Sequence, residues 1–98
     1  QAVINIMNNA AGALEEKSGK KFISIEITTG SGNGRIKISN NGPQISAEIQ
    51  EKIFVPFFTT KKNGSGIGLS IAQEIVRLHK GSLMVFSSGE YTSFVIEL

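Results

Sequence analysis

Two runs of alternating residues, joined by a cluster of glycines, constrain this chain most. In "KFISIEITT", residues 21–29, Ile23, Ile25 and Ile27 fall on one side and Phe22, Ser24, Glu26 and Thr28 on the other. "RIKIS", residues 35–39, alternates in the same way. A period of two marks a half-buried strand. The segment between them holds Gly30, Gly32 and Gly34, so the glycines belong to a turn and the pair predicts a hairpin with a flexible tip. The apolar side of that hairpin must be covered by something else in the chain.

Helices are the available cover. "QAVINIMNNAAGALEEK" is amphipathic at about 100° per residue. Val3, Met7, Ala10 and Leu14 share one face, and Gln1, Asn5, Asn9 and Glu16 the opposite one. "SAEIQEKIF" predicts a short helix capped by Ser46, with Glu48 in its first turn. "VPFFTTKKNGSG" is a loop. "IGLSIAQEIVRLHK" is a second long helix whose wet side carries Ser70, Gln73, Glu74 and Arg77 and which ends at Lys80, with Gly81 as its C-terminal glycine. "SLMVFSS" and "YTSFVIEL" are two further strands around the turn "GE". The order of elements predicts an α/β two-layer sandwich, with a mixed, largely antiparallel sheet and helices packed on one face.

Composition removes several functions. At 98 residues the chain is one domain, and a net charge of +2 argues for neither nucleic acid nor an anionic membrane. There is no cysteine and one histidine, which excludes a disulfide framework, a thiolate zinc site and a His-rich metal site. No apolar run approaches the roughly 18–20 residues of a membrane span, and no secretory signal is visible. A helical pattern that begins at Gln1, with no starting Met, is read as a fragment of a longer protein.

Three features ask for chemistry. The first is the amide stripe Asn5, Asn8 and Asn9. Asn is a poor helix former, so the stripe is either a solvated face or a set of oxygen ligands for a hard cation such as magnesium. The second is "GSGIGLS", residues 64–70, where a glycine-rich loop opens a helix. Unpaired backbone N–H groups and the positive end of the dipole suit phosphate there; the alternative is a plain loop with an N-cap serine. The third is "FFTTKK", residues 57–62, where Lys61 and Lys62 can neutralise phosphate or remain solvated beside an aromatic pair anchored in the core.

Together "NIMNNA", "NNGPQI", "FVPFFTTK", "GSGIGLSI" and "YTSF" resemble, in order and spacing, the motifs of the GHKL (Bergerat-fold) ATPases. The likeness is to the ATP-binding catalytic domain of bacterial sensor histidine kinases and covers essentially the whole chain, residues 1–98. The resemblance implies Mg–ATP binding. Asn9 matches the magnesium-ligating Asn and Asn5 the supporting polar residue one turn earlier. Asn40, Gly42, Gln44 and Ile45 fall in the first glycine box, which holds adenine. Gly64, Gly66, Ile67, Gly68 and Leu69 fall in or beside the second, whose backbone meets the phosphates. Thr92 matches the threonine that helps bind adenine. Phe54, Phe57 and Phe58 match the aromatic motif flanking the lid. Residues 59–65, with Thr60 and Lys61, match the lid itself, which the family moves on nucleotide binding.

The resemblance also implies what is missing. The family phosphorylates a histidine on a separate dimerisation domain of the same protein and passes the phosphoryl group to a response regulator. No catalytic residue is therefore expected in this fragment. His79, on the apolar side of a helix end, is read as packed or dipole-compensating rather than as the phosphoacceptor. The full-length protein is expected to be a cytoplasmic homodimer with its membrane anchorage left open, and the fragment monomeric with no nucleic-acid partner. Three positions depart from the pattern: Asn40 stands where the family usually has Asp, Gln44 where it has Gly, and Tyr91 where it has Gly. Asn keeps a carbonyl oxygen to accept adenine's amine, and its NH2 can donate to the neighbouring ring nitrogen. The alternative is a degenerate domain that keeps the fold and serves as a regulatory or interaction module.

Overall fold

A computed structural model of the chain describes residues 1–15, 17–30, 33–58 and 67–98. Seven elements follow in the order α1 (Ala2–Ala13), β1 (Ile23–Gly30), β2 (Asn33–Asn40), α2 (Ala47–Gln50), α3 (Gly68–Leu78), β3 (Ser82–Ser87) and β4 (Thr92–Glu97). The four strands form one sheet in the order β1-β2-β4-β3. Both hairpins, and the β2·β4 pairing that joins them, are antiparallel. The two-layer α/β sandwich is as anticipated; the pairings described include no parallel one.

The helices cover the sheet face that carries Ile38, Leu83, Phe94 and Ile96. These residues form one core with Ala2 and Ile6 of α1, Ala72 and Val76 of α3, and Ile53. Ile6, Ile38, Ala72 and Phe94 are wholly buried. Burial of each of the three larger side chains stabilises by roughly 1.5–3 kcal/mol. Phe54 meets Phe94 edge-on, with ring centroids 6.4 Å apart. On the other face, Ser39 and Ser93 bond through their hydroxyls at 2.8 Å, and Arg35 pairs with Glu97.

Several local expectations change. α1 buries Ala2, Ile6 and Ala10, followed by Leu14 at its C-cap, with Val3 and Met7 only partly covered, so its inward stripe is rotated from the Val3–Met7–Ala10–Leu14 face. Ile25 and Ile27 of β1, an edge strand, are 46% and 70% exposed, whereas Ile23 packs against the core. The aromatic pair at 57–58 is split. Phe58 packs against the core, whereas Phe57 is 76% exposed with φ +70°. His79 is exposed, not packed.

The start of α2 and the end of α3 are closed in different ways. Ser46 accepts from the Ile49 nitrogen at 3.3 Å and starts α2 as anticipated. At the end of α3, Lys80 and not Gly81 takes the left-handed conformation, with φ +63°. Lys80 N–H donates to the Arg77 carbonyl and Gly81 N–H to the Val76 carbonyl, at 2.9 and 3.0 Å, which is a Schellman closure. Gly81 is required for a different reason: a Cβ there would lie 2.4 Å from the Glu97 carbonyl oxygen.

Candidate functional site

The last residues of β2 and β3 and the first of β4 lie together at one end of the sheet. Asn40 is paired with Thr92 across β2·β4, and Thr92 with Ser87 across β3·β4. Asn40 and Thr92 are 1% and 2% exposed. Both sit on the helix-facing side, in the alternation of Ile38 and Phe94, where an apolar residue would be the default. Their polarity there needs partners. Ser87 Oγ lies 2.7 Å from Thr92 Oγ1 and accepts from the Ile45 nitrogen at 2.8 Å. Asn40 Oδ1 accepts from the Gly42 nitrogen at 2.9 Å.

The two asparagines of "NNGPQI" therefore do different work. Asn41 fastens the turn outward: its Nδ2 donates to the Lys20 carbonyl at 2.9 Å, and its Oδ1 accepts from the Phe22 nitrogen at 3.0 Å. Asn40 fastens it inward. Gly42 sits so close to α1 that a Cβ would meet Asn40 Oδ1 at 2.9 Å and the Ala13 carbonyl oxygen at 3.0 Å. Ile45 is held from both sides, since its carbonyl accepts from Gln50 Nε2 at 2.8 Å. Gln44 is exposed and has no left-handed backbone, so the position makes no demand for glycine. Tyr91 likewise avoids the left-handed region, and its ring stacks obliquely on Phe22, with centroids 5.5 Å apart. Gly42, Gln44, Phe22 and Tyr91 line an open cleft of about 590 Å³ beside the turn, which does not take in Asn40 or Thr92.

The second cluster lies where α1 meets α3. Asn5 Nδ2 donates to the Gly68 carbonyl at 3.2 Å, and its Oδ1 accepts from Gln1 Nε2 at 3.0 Å. The asparagine face of α1 thus abuts the start of α3 and is not simply solvated. Asn9 follows one turn later and is half-buried, while Asn8 is exposed. The N-cap of α3 is Ile67, and no side chain caps that end. Ser70 is not the cap: its hydroxyl donates back to the Ile67 carbonyl at 2.9 Å. Among the described residues no side chain takes the first N–H groups of α3. Leu69 and Phe58 pack partly into the core beside them. Thr60, Lys61, Gly64 and Gly66, and with them the proposed lid at 59–65, lie outside the described residues.

Sequence reasoning missed Ser87. The signal was present: Leu83, Val85 and Ser87 share one face of β3, and the serine breaks an apolar row. Among the described residues no group of three or more His, Cys, Asp or Glu could hold a metal, and no helix is long and apolar enough to cross a membrane.

The asparagine face of α1 is thus set against the start of α3, and a buried polar row lies at the ends of the strands. Residues 1–98 match the model of the histidine kinase-, DNA gyrase B- and HSP90-like ATPases, and the chain belongs to that family. Within it the chain is an ATP-binding catalytic domain of the sensor histidine kinase type. Over its whole length it is 35% identical to the C4-dicarboxylate transport sensor protein DctB of Rhizobium meliloti, of which it spans 16%. It is 34% identical to the sensory histidine kinase/phosphatase NtrB of Vibrio alginolyticus, of which it spans 31%. The nucleotide-free catalytic domain of histidine kinase ThkA superposes with a TM-score of 0.85 at 34% identity, over all of this chain and 64% of that one. The mycobacterial sensor histidine kinase MprB superposes at 0.84 and 26% identity, over 99% of this chain and 68% of that one.

Proposed function

We propose that this chain binds Mg–ATP and presents the γ-phosphate to a histidine on a separate dimerisation domain of the same protein, with a response regulator downstream. The parent protein is read as a homodimer working at the cytoplasmic side, and this chain alone as a monomer. The observation that carries the reading is the bond from Asn5 to Gly68, which joins the asparagine face of α1 to the uncapped start of α3.

The residues present fit such a ligand. The amide oxygen of Asn9 is the hard donor that magnesium accepts, and that cation keeps most of its remaining shell for water and phosphate oxygens. The first N–H groups of α3 suit the phosphates. Gly42 packs without a side chain between Asn40 Oδ1 and the Ala13 carbonyl oxygen, which holds the turn against α1. Phosphoryl transfer depends chiefly on positioning and electrostatics, which is the work this set of residues can do without a nucleophile of its own.

Calorimetric titration of the chain with ATP, in magnesium and in EDTA, tests the reading. Tight binding should need magnesium, and Asn9→Ala should reduce affinity far more in magnesium than in EDTA. Equal losses in both conditions remove Asn9 from the metal site. No binding in either condition favours a regulatory or interaction module that keeps only the fold.

A further inference from the structure

We infer that Gln1 is a positioning residue of this site: acting through Asn5, it holds the first turn of α3 where a bound phosphate would meet it. The inference rests on the nucleotide-binding reading above and adds a residue to it. Two bonds carry it. Asn5 Nδ2 donates to the Gly68 carbonyl at 3.2 Å, and Gln1 Nε2 donates to Asn5 Oδ1 at 3.0 Å.

The directions of both bonds follow from one group. A backbone carbonyl only accepts, so Asn5 must turn its NH2 toward Gly68. Its oxygen then lies at the other end of the amide, facing Gln1, and Gln1 must answer with its own NH2. An acceptor at position 1 would favour the opposite rotamer of Asn5 and set its oxygen against the Gly68 carbonyl oxygen. Gln1 stands at the N-cap of α1, four residues before Asn5, the spacing at which side chains on one helix face meet.

The start of α3 depends on such support. Its N-cap is Ile67, no side chain caps it, its first residue is Gly68, and its first turn carries no acidic residue. Each of these weakens a helix start. Asn5, 63 residues away in sequence, ties that start to α1. A magnesium ligand must present oxygen, whereas the atom that Asn5 turns toward α3 is nitrogen. Asn5 is thus a clasp between the two helices and not a ligand of the cation, and Gln1 sets the direction in which the clasp closes.

Gln1→Met tests this. It removes the donor from an exposed side chain of similar length and leaves the backbone bond from Asn5 N–H to the Gln1 carbonyl in place. Two readouts are followed, in the natural background and in Asn5→Ala. In the free chain, amide exchange of Ile71, whose N–H donates to the Ile67 carbonyl at 3.0 Å, should quicken about threefold or more. The dissociation constant for Mg–ATP should rise about threefold or more. Neither should change when Gln1→Met is added to Asn5→Ala. Asn5→Asp sets a carboxylate against the Gly68 carbonyl and should bind Mg–ATP more weakly than Asn5→Ala. Unchanged exchange at Ile71 in Gln1→Met overturns the inference, as does quickened exchange with unchanged ATP affinity. Effects of Gln1→Met that persist in Asn5→Ala also overturn it, because Gln1 then acts without Asn5. An Asn5→Asp chain that binds Mg–ATP as tightly as the natural one overturns it in favour of a metal ligand. No ATP binding by the natural chain overturns the nucleotide reading and the positioning role together, while Ile71 exchange still reports whether the clasp exists.

Discussion

Ser87 Oγ stands 2.7 Å from Thr92 Oγ1 and 2.8 Å from the Ile45 nitrogen, so a single hydroxyl ties the start of β4 to the turn that leaves β2. Removing it with Ser87→Ala orphans a partly buried backbone N–H and takes a partner from a buried threonine. The expected loss is about 1–2 kcal/mol, read from the urea midpoint at unchanged slope. Nucleotide affinity should fall as well, because Thr92 loses its orientation. A variant of full stability would mean that water replaces the hydroxyl.

Gly42→Ala should do local damage of a different kind. Its Cβ would press on Asn40 Oδ1 and on the α1 backbone at Ala13, neither of which is a flexible tip. Overpacking of this sort costs about 1–3 kcal/mol. Pro43→Ala, at an exposed neighbour, should cost much less in the same melt. Equal effects would count against the close approach.

The end of α3 separates two reasons for glycine. Lys80 is left-handed at φ +63°, so Lys80→Gly should stabilise by about 0.5–1 kcal/mol. One residue on, Gly81→Ala forces a methyl group to 2.4 Å from the Glu97 carbonyl oxygen, and should destabilise by more than about 2 kcal/mol or prevent folding. Thermal melts of the two variants should therefore move in opposite directions.

Phe57 repeats the strain without the closure. It is left-handed and exposed, so its ring contributes little burial to offset the conformation. Phe57→Gly is expected to raise stability by about 0.5–1 kcal/mol. A drop in the melting temperature would show that the ring packs more than its exposure implies.

The pattern of success in reading the chain follows from which interactions are local. The hairpin at 23–40 and the Ser46 cap were legible because alternation and capping act between residues close in sequence. The inward face of α1 was not. Ala2, Val3, Ile4, Ile6 and Met7 make the helix apolar around much of its circumference, and α3 and the sheet choose among them. The alternation of Ile23, Ile25 and Ile27 marks a side of β1 but not whether a neighbour covers it. Lys80 was misread because glycine is the usual left-handed residue, and here the glycine one step later answers to Glu97, some sixteen residues away in sequence. Asn40 and Thr92 were found through a family resemblance. Ser87 became visible only through the register that sets it beside Thr92, and so did the direction in which the Asn40 amide points.

The exposed isoleucines of β1 carry a last consequence, for the chain as a material. Among the described residues no strand pairs with the outer side of β1, and "ISIEIT" alternates β-branched residues with a single charge. Such an edge is a template on which a second molecule can add its own strand, and repeated addition ends in aggregates. Glu26, opposite Lys37 in the register, is the residue that interrupts this stretch. It acts as a gatekeeper: neutralising it would leave the fold of one molecule in place while making a concentrated solution of them harder to keep clear.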